Sequence, residues 1–545
     1  MKIRTLIGIV IGLVLVNIPV QWVVARWDLT EDKRYTLSEP MKELIGSLSS
    51  PLEITLYLDG ELNPGFHRLQ QAVEDFVAEL DMYGDVQLLA GNTDDKALKT
   101  CTPTVIHERS KDGRTIQTTI YPYAQLKYGE RSMMINLLKN QRGKSGEENL
   151  NQSIEGLEYA FAEVIHAISK QEVERIAFLE GHGEWSEHEV FDWSQSLSRY
   201  FQIDRGILGT EKGVLDGYKA VIIANPQQAF SETDKYILDQ YLMQGGRIMW
   251  LLNGVQFSSD MLSHQGTTPI IALDLNLTDI LFRYGVRINP MLVQDMQCLP
   301  IPVDVSQDPN QPNFQPIPWT YAPLLLTSQN SSITRNVMQV SSTFASSIDF
   351  VGEDDGLYKE VLLATSSASR ITGTPAEVDL TDLTILPEMF QYAYIPVGAS
   401  IEGSFPSFYA HRMPPAEISN LDNTIKQSVA TKQIVVACGS MARNEWQNGS
   451  PLPVGYDRYT RTQFGNQDFL TNAILYLTDD QGLIHLRQKS IVLRLLNDKE
   501  AYANRTLIQM ISIVTPILIL CIIGLLVWCI RRYQYSKWNR PTLVQ

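Results

Sequence analysis

The stretch RIAFLEGHGEWSEHEVFDW, residues 175–193, sets two histidines and four glutamates directly behind a short apolar run. Imidazoles and carboxylates are the side chains that hold metal ions or move protons near neutral pH. A zinc site asks for at least three converging protein ligands. His182 and His188 are six residues apart, which matches neither HExxH nor another standard helical spacing. Acyl-transfer chemistry asks for an activated Ser or Cys on a strand-to-helix turn, and no G-x-S-x-G-type turn follows the strand-like IMWLL. No catalytic residue, metal ligand or cofactor is therefore assigned.

Placement makes the stretch informative even so. If RIAFLE is a parallel strand, Gly181 to Glu184 lies at its carboxyl end, the edge where open α/β sheets bind ligands. The strand-like runs KAVIIANP and GRIMWLLNG end in Asn225-Pro226 and Asn253-Gly254, on the same edge. His182, Glu184, Asn225 and Asn253 are thus candidate ligand or partner contacts. Two other readings stay open. Glu184, Glu187 and Glu189 would suit the first turn of a helix, with His182 as a cap or turn residue. The cluster could also be an active site in which His182 and Glu184 act.

The elements that position these residues follow from periodicity. LEITLYLDG, DVQLLAG, AQLKYG and RSMMINLL read as strands, and HRLQQAVEDFVAELDMYG carries a helical stripe of Leu69, Val73, Phe76, Val77 and Leu80. Residues 51–170 are expected to form a small α/β domain with a β-α-β core. Fully apolar strands alternate with amphipathic helices such as SETDKYILDQYLMQGG over residues 171–480, the pattern of a doubly wound parallel sheet. An insertion occupies about 258–430, and its Pro-, Gln- and Asn-rich stretch at 300–332 reads as loop or linker. The segment QRGKSGE lacks a P-loop, since Leu138 stands where the first glycine belongs. VGEDDG lacks the ligand spacing of an EF-hand.

With 545 residues, 44% hydrophobic and 19% charged, the chain can build proper cores, and a net charge of −16 excludes a nucleic-acid binder. Five cysteines, two inside a C-terminal apolar run, make no disulfide framework. Apolar runs near both ends are long enough to cross a bilayer core of roughly 30 Å. Residues 1–25 are expected to be an N-terminal transmembrane anchor and 507–530 a transmembrane helix. Residues 26–50 and 481–506 are then juxtamembrane segments, and 531–545 a tail. Lys2, Arg4, Arg531, Arg532, Lys537 and Arg540 flank the runs and place both termini in the cytoplasm, with about 26–506 outside. A cleaved signal peptide ending near Ala25 is the alternative for the first run.

Four stretches in order, RWDLTEDKRYTLSE, GHGE, NQDFLTNAILYLTDDQGLI and RQKSIVLRLLND before a helix ending in RRY, resemble one family. It is the gliding-motility-associated ABC transporter substrate-binding (auxiliary) protein, the GldG type, within a broader group of ABC-transport auxiliary proteins. The resemblance implies a glutamine-amidotransferase-like periplasmic body without its nucleophile, since no cysteine stands near Asn253-Gly254. It also implies an inner-membrane location, a polytopic permease and a separate cytoplasmic ATPase as partners. The expected role is a non-enzymatic auxiliary subunit supporting gliding motility. A membrane-tethered hydrolase using His182 and Glu184, and a static envelope scaffold, are the rival functions.

Overall fold

The computed structural model describes residues 36–538 apart from 61, 93–94, 110–114, 140–144, 171, 305, 307–312, 353–355, 381–384, 419–423, 481 and 489–503. The expected N-terminal anchor and most of the second juxtamembrane segment lie outside the described residues. The chain divides into two compact units near residue 490.

The first unit opens with helix α1 (Glu39–Gly46), started by Ser38, whose hydroxyl accepts from the Met41 amide, with proline in its first turn. Strand β1 (Leu52–Leu56), helix α2 (Pro64–Leu80) and strand β2 (Val86–Ala90) form the β-α-β core, with β1 and β2 parallel. Strands β3 (Tyr123–Tyr128) and β4 (Arg131–Asn136) complete a four-stranded sheet ordered β2-β1-β3-β4. The predicted stripe of α2 is its buried face, with Leu69, Val73, Val77 and Leu80 covered. The single helix expected over LNQSIEGLEYAFAEVIHAISK is two, α3 (Gly146–Glu155) and α4 (Leu157–Ser169), divided at Gly156.

The larger sheet carries the site. Strands β5 (Arg175–Leu179), β6 (Gln202–Gly206), β7 (Tyr218–Ala224) and β8 (Ile248–Leu251) are mutually parallel neighbours in the order β6-β5-β7-β8. Helix α5 (Phe191–Leu197) links β5 to β6, and α6 (Glu232–Met243) links β7 to β8. The insertion adds α7 (Thr278–Arg283) and the strands β9 (Cys298–Asp304), β10 (Phe314–Thr327), β11 (Tyr358–Ala364) and β12 (Pro396–Pro406). Strand β13 (Gln427–Val436) then pairs parallel to β8 and antiparallel to β12, and helix α8 (Asn466–Thr478) follows it.

Two corrections follow. The sheet is mixed rather than wholly parallel, because β9 to β12 extend it with antiparallel pairs. The insertion is therefore partly continuous with the sheet. Much of the proline-rich stretch read as loop is also strand, at 300–304 and 314–327. Its prolines pair across the β9–β10 ladder, Pro300 with Pro318 and Pro302 with Pro316. Directly opposed residues in an antiparallel ladder alternate between hydrogen-bonded and open pairs, so prolines spaced by two can all occupy open pairs.

Alternate residues of the parallel strands supply two cores. Ile176, Phe178, Ile222, Met249, Leu251 and Ile434 pack with Trp193 of α5 and with Phe469 and Ala473 of α8. Ala177, Leu179, Val221, Ile223, Trp250 and Val435 pack with Tyr236, Ile237 and Leu242 of α6. Burying each large apolar side chain contributes about 1.5–3 kcal/mol, which fixes the register of the edge described below.

The second unit contains helix α9 (Arg505–Trp538). Among the described residues it is the one helix long and apolar enough to cross a membrane, over Arg505–Tyr533, and none of that span is covered by protein.

Candidate functional site at the carboxyl edge of the sheet

Strand order decides where a crevice can open. The chain runs outward from β5 to β6, then returns past β5 to β7 and β8, so the connections diverge at the carboxyl ends of β5 and β7. Residues 180–190 leave from one of these ends and Asn225 from the other.

The loop after β5 is shaped by Gly181 and Gly183, both at positive φ (116° and 76°). The His182 carbonyl accepts from the amides of Gln227 (2.7 Å) and Gln228 (2.9 Å), and the Trp185 amide donates to Ala224 O (2.9 Å). These bonds strap the loop to the end of β7. The His182 ring is buried and stacks on Phe230, with centroids 3.7 Å apart and planes at 11°. Its Nδ1 lies 3.0 Å from Glu184 Oε1 and its Nε2 3.2 Å from Asp234 Oδ2. Glu184 also accepts from the His182 amide (2.7 Å), and its side chain is 1% exposed. Burial opposes a charged imidazole here, but the bonds to Asp234 and Glu184 outweigh it and raise the pKa to about 9. At neutral pH the ring is an imidazolium with both N–H groups donated to carboxylates.

The two asparagines form a separate chain. Asn225, held at φ 60°, accepts at Oδ1 from Asn253 Nδ2 (2.8 Å), and Asn253 Oδ1 accepts from the Gly439 amide (2.7 Å). The carboxyl ends of β7, β8 and β13 are thereby joined side to side. Cys438, beside Gly439, is fully covered, its Sγ lies 3.2 Å from Ser440 Oγ, and burial pushes its thiol pKa up.

Beyond this chain is a cavity of about 260 Å³, lined among others by Trp185, Ser341, Ser440, Arg443, Asp457 and Asn466. Trp185 Nε1 donates to Gly439 O (2.9 Å), and the Arg443 guanidinium sits 5.0 Å from the Trp185 ring. Arg443 also pairs with Glu189 at 3.5 Å. His188 stacks on Trp446, with centroids 4.0 Å apart, and its carbonyl accepts from Trp446 Nε1 (3.0 Å).

The four residues singled out from the sequence are therefore neighbours on one edge but form two sets, His182 with Glu184 and Asn225 with Asn253. The helical reading of the acidic cluster needs correction. Glu184, Glu187 and Glu189 precede α5, which begins at Phe191 and has only Asp192 in its first turn. Among the described residues, no three His, Cys, Asp or Glu side chains converge to hold a metal ion. Two participants were missed. Asp234 carries a sequence signal, the capping box it forms with Ser231 in SETD, but nothing in that box points to His182. The segment 440–457, which walls the cavity, follows the readable strand KQIVVA yet has no periodicity of its own.

The described chain is a mixed α/β protein with an uncovered helix that is long and apolar enough to cross a membrane. Residues 174–473 match the model of a family of ABC-transport auxiliary proteins, described as "ABC-type uncharacterized transport system". That match covers more than half of the chain, and the protein belongs to this family. Residues 31–127 match a domain of unknown function, DUF7088. No curated protein matches the chain. A solved structure described as "mmIFT52 N-terminal domain" shares 16% identity at a TM-score of 0.33, covering 56% of this chain and 98% of that one. That likeness is too slight to define the fold.

Proposed function

We propose that this protein is a non-enzymatic, membrane-anchored auxiliary subunit of an ABC-type transporter, with its body in the periplasm, and that it serves gliding motility as the GldG-type resemblance implies. The carrying observation is the family match over 174–473. A doubly wound, amidotransferase-like body is favoured by the order β6-β5-β7-β8-β13 and by helices packed on both faces of these strands. In this reading α9 and the N-terminal run pack on a polytopic permease, whose ATPase works on the cytoplasmic side. The carboxyl edge, with His182, Glu184, Asn225 and Asn253 as its braced frame, is the face that meets a ligand or an envelope partner.

The hydrolase reading is disfavoured by the state of His182. An imidazolium whose two nitrogens already donate to Glu184 and Asp234 has no lone pair to accept a proton. A static scaffold would need neither permease nor ATPase, so association separates it from a transporter subunit. The test is co-expression of the intact chain with the permease and ATPase of its transport system, followed by size-exclusion in mild detergent. Co-elution of all three supports the proposal. Elution of the chain alone overturns it.

A further inference from the structure

A groove of about 570 Å³ lies between α7 and residues 407–412. Its floor includes Phe408, and Phe282 on its α7 wall is 55% exposed. Met413, next to the groove-lining Arg412, is 92% exposed. Apolar side chains left this open beside a concavity mark a contact surface, because water is displaced from them only when a partner arrives.

The charge at this groove is opposite to that of the chain. Arg283, His411 and Arg412 line it, in a protein of net charge −16. Among the described residues, Asp279 is the only acid in the lining, and its carboxylate is held by Lys235 Nζ at 2.8 and 2.9 Å and approached by Arg412 at 3.8 Å. Lys235 is fully buried and shares its charge between Asp279 and Glu232, 3.1 Å away, so Asp279 is engaged from inside the fold while Arg283 and Arg412 stay on the groove side. The Arg412 guanidinium lies 3.8 Å from the centroid of the Phe408 ring, which holds its charge over the groove. Arg283 and His411 make no hydrogen bond or ion pair with any described residue.

We infer that this groove docks an acidic peptide segment of a partner protein, one that carries an apolar side chain between carboxylates. The apolar residue would enter against Phe282 and Phe408 while its neighbours pair with Arg283, His411 and Arg412. An inorganic anion would leave the apolar walls wet, and a flat bilayer does not follow a concave wall. This inference is independent of the function proposed above.

The test uses the full chain in detergent and a fluorescein-labelled peptide of alternating Asp, Glu and Phe, read by fluorescence anisotropy. The expected result is saturable binding that weakens with added salt and falls by about tenfold or more in an Arg283→Glu/His411→Glu variant. Both positions are exposed and unpaired among the described residues, so the variant keeps its fold. A peptide with Lys in place of the acids should not bind. The inference is overturned if the acidic peptide fails to bind, or binds the variant equally well. Capture by phosphatidylglycerol vesicles that depends on Arg283, without peptide binding, overturns it in favour of a membrane surface.

Discussion

The Nε2 of His182 and the Oδ2 of Asp234 lie 3.2 Å apart across 52 residues of sequence. Asp234 is simultaneously the third residue of α6 and the acidic half of its capping box, bonded to the N-cap Ser231. One carboxylate therefore fastens the loop leaving β5 to the start of the helix that follows β7. The edge is held by an ion pair as well as by backbone bonds.

That pair should make stability depend on pH. The imidazole pKa rises from an ordinary 6.5 to about 9 on folding, despite burial, through Asp234 and Glu184. A base with a raised pKa contributes stability that is complete below pH 6.5 and is lost as pH climbs through about 9. The contribution is at most about 3 kcal/mol, at ~1.36 kcal/mol per tenfold change. Thermal unfolding of the native protein and of His182→Gln across this window measures it. The native Tm should fall more steeply; parallel profiles would refute the assignment.

Gly439 is a packing requirement of the Asn225–Asn253 chain. A methyl group there would come within 2.7 Å of Asn225 Cβ. Asn225 cannot yield freely, being bonded to Asn253 and held at φ 60°. Gly439→Ala should cost about 2–3 kcal/mol in denaturant unfolding. Gly206→Ala, with nothing within 4 Å, is the control and should change stability by less than about 1 kcal/mol.

Asp239 anchors the insertion to α6. Buried completely, it accepts from Tyr284 Oη (2.8 Å), Ser407 Oγ (2.7 Å) and the Phe408 amide (2.8 Å). Asp239→Ala leaves these donors without a partner and should cost about 3–5 kcal/mol. Hydrogen exchange should locate the loosening at residues 405–409. Uniform exchange across the sheet would contradict the anchoring role.

Membrane attachment can be divided between the two ends. If the first 25 residues are retained as an anchor, a chain lacking residues 505–545 should stay with membranes after carbonate washing. Removing both ends should release it. Release on loss of the C-terminal helix alone would mean that the first run is a cleaved signal.

Much of this architecture is written locally. The stripe of α2, the Ser38 and Ser231 caps, and the apolar strands β5, β7 and β8 declare themselves because a period and a cap need only neighbouring residues. The glycines of GHGE and the asparagines ending two strands likewise marked the edge before any fold was known. What the chain could not declare was long-range. α6 reads as amphipathic, yet Lys235 and Asp239 are buried because the insertion covers its outer side. The prolines of β9 and β10 read as linker until an antiparallel partner placed them in open pairs. His182 and Glu184 read from the sequence as turn or cap residues or as contacts, with catalysis the outlying reading. Tertiary structure alone brought Asp234 to the ring, and with it took up the second nitrogen that proton transfer would have needed.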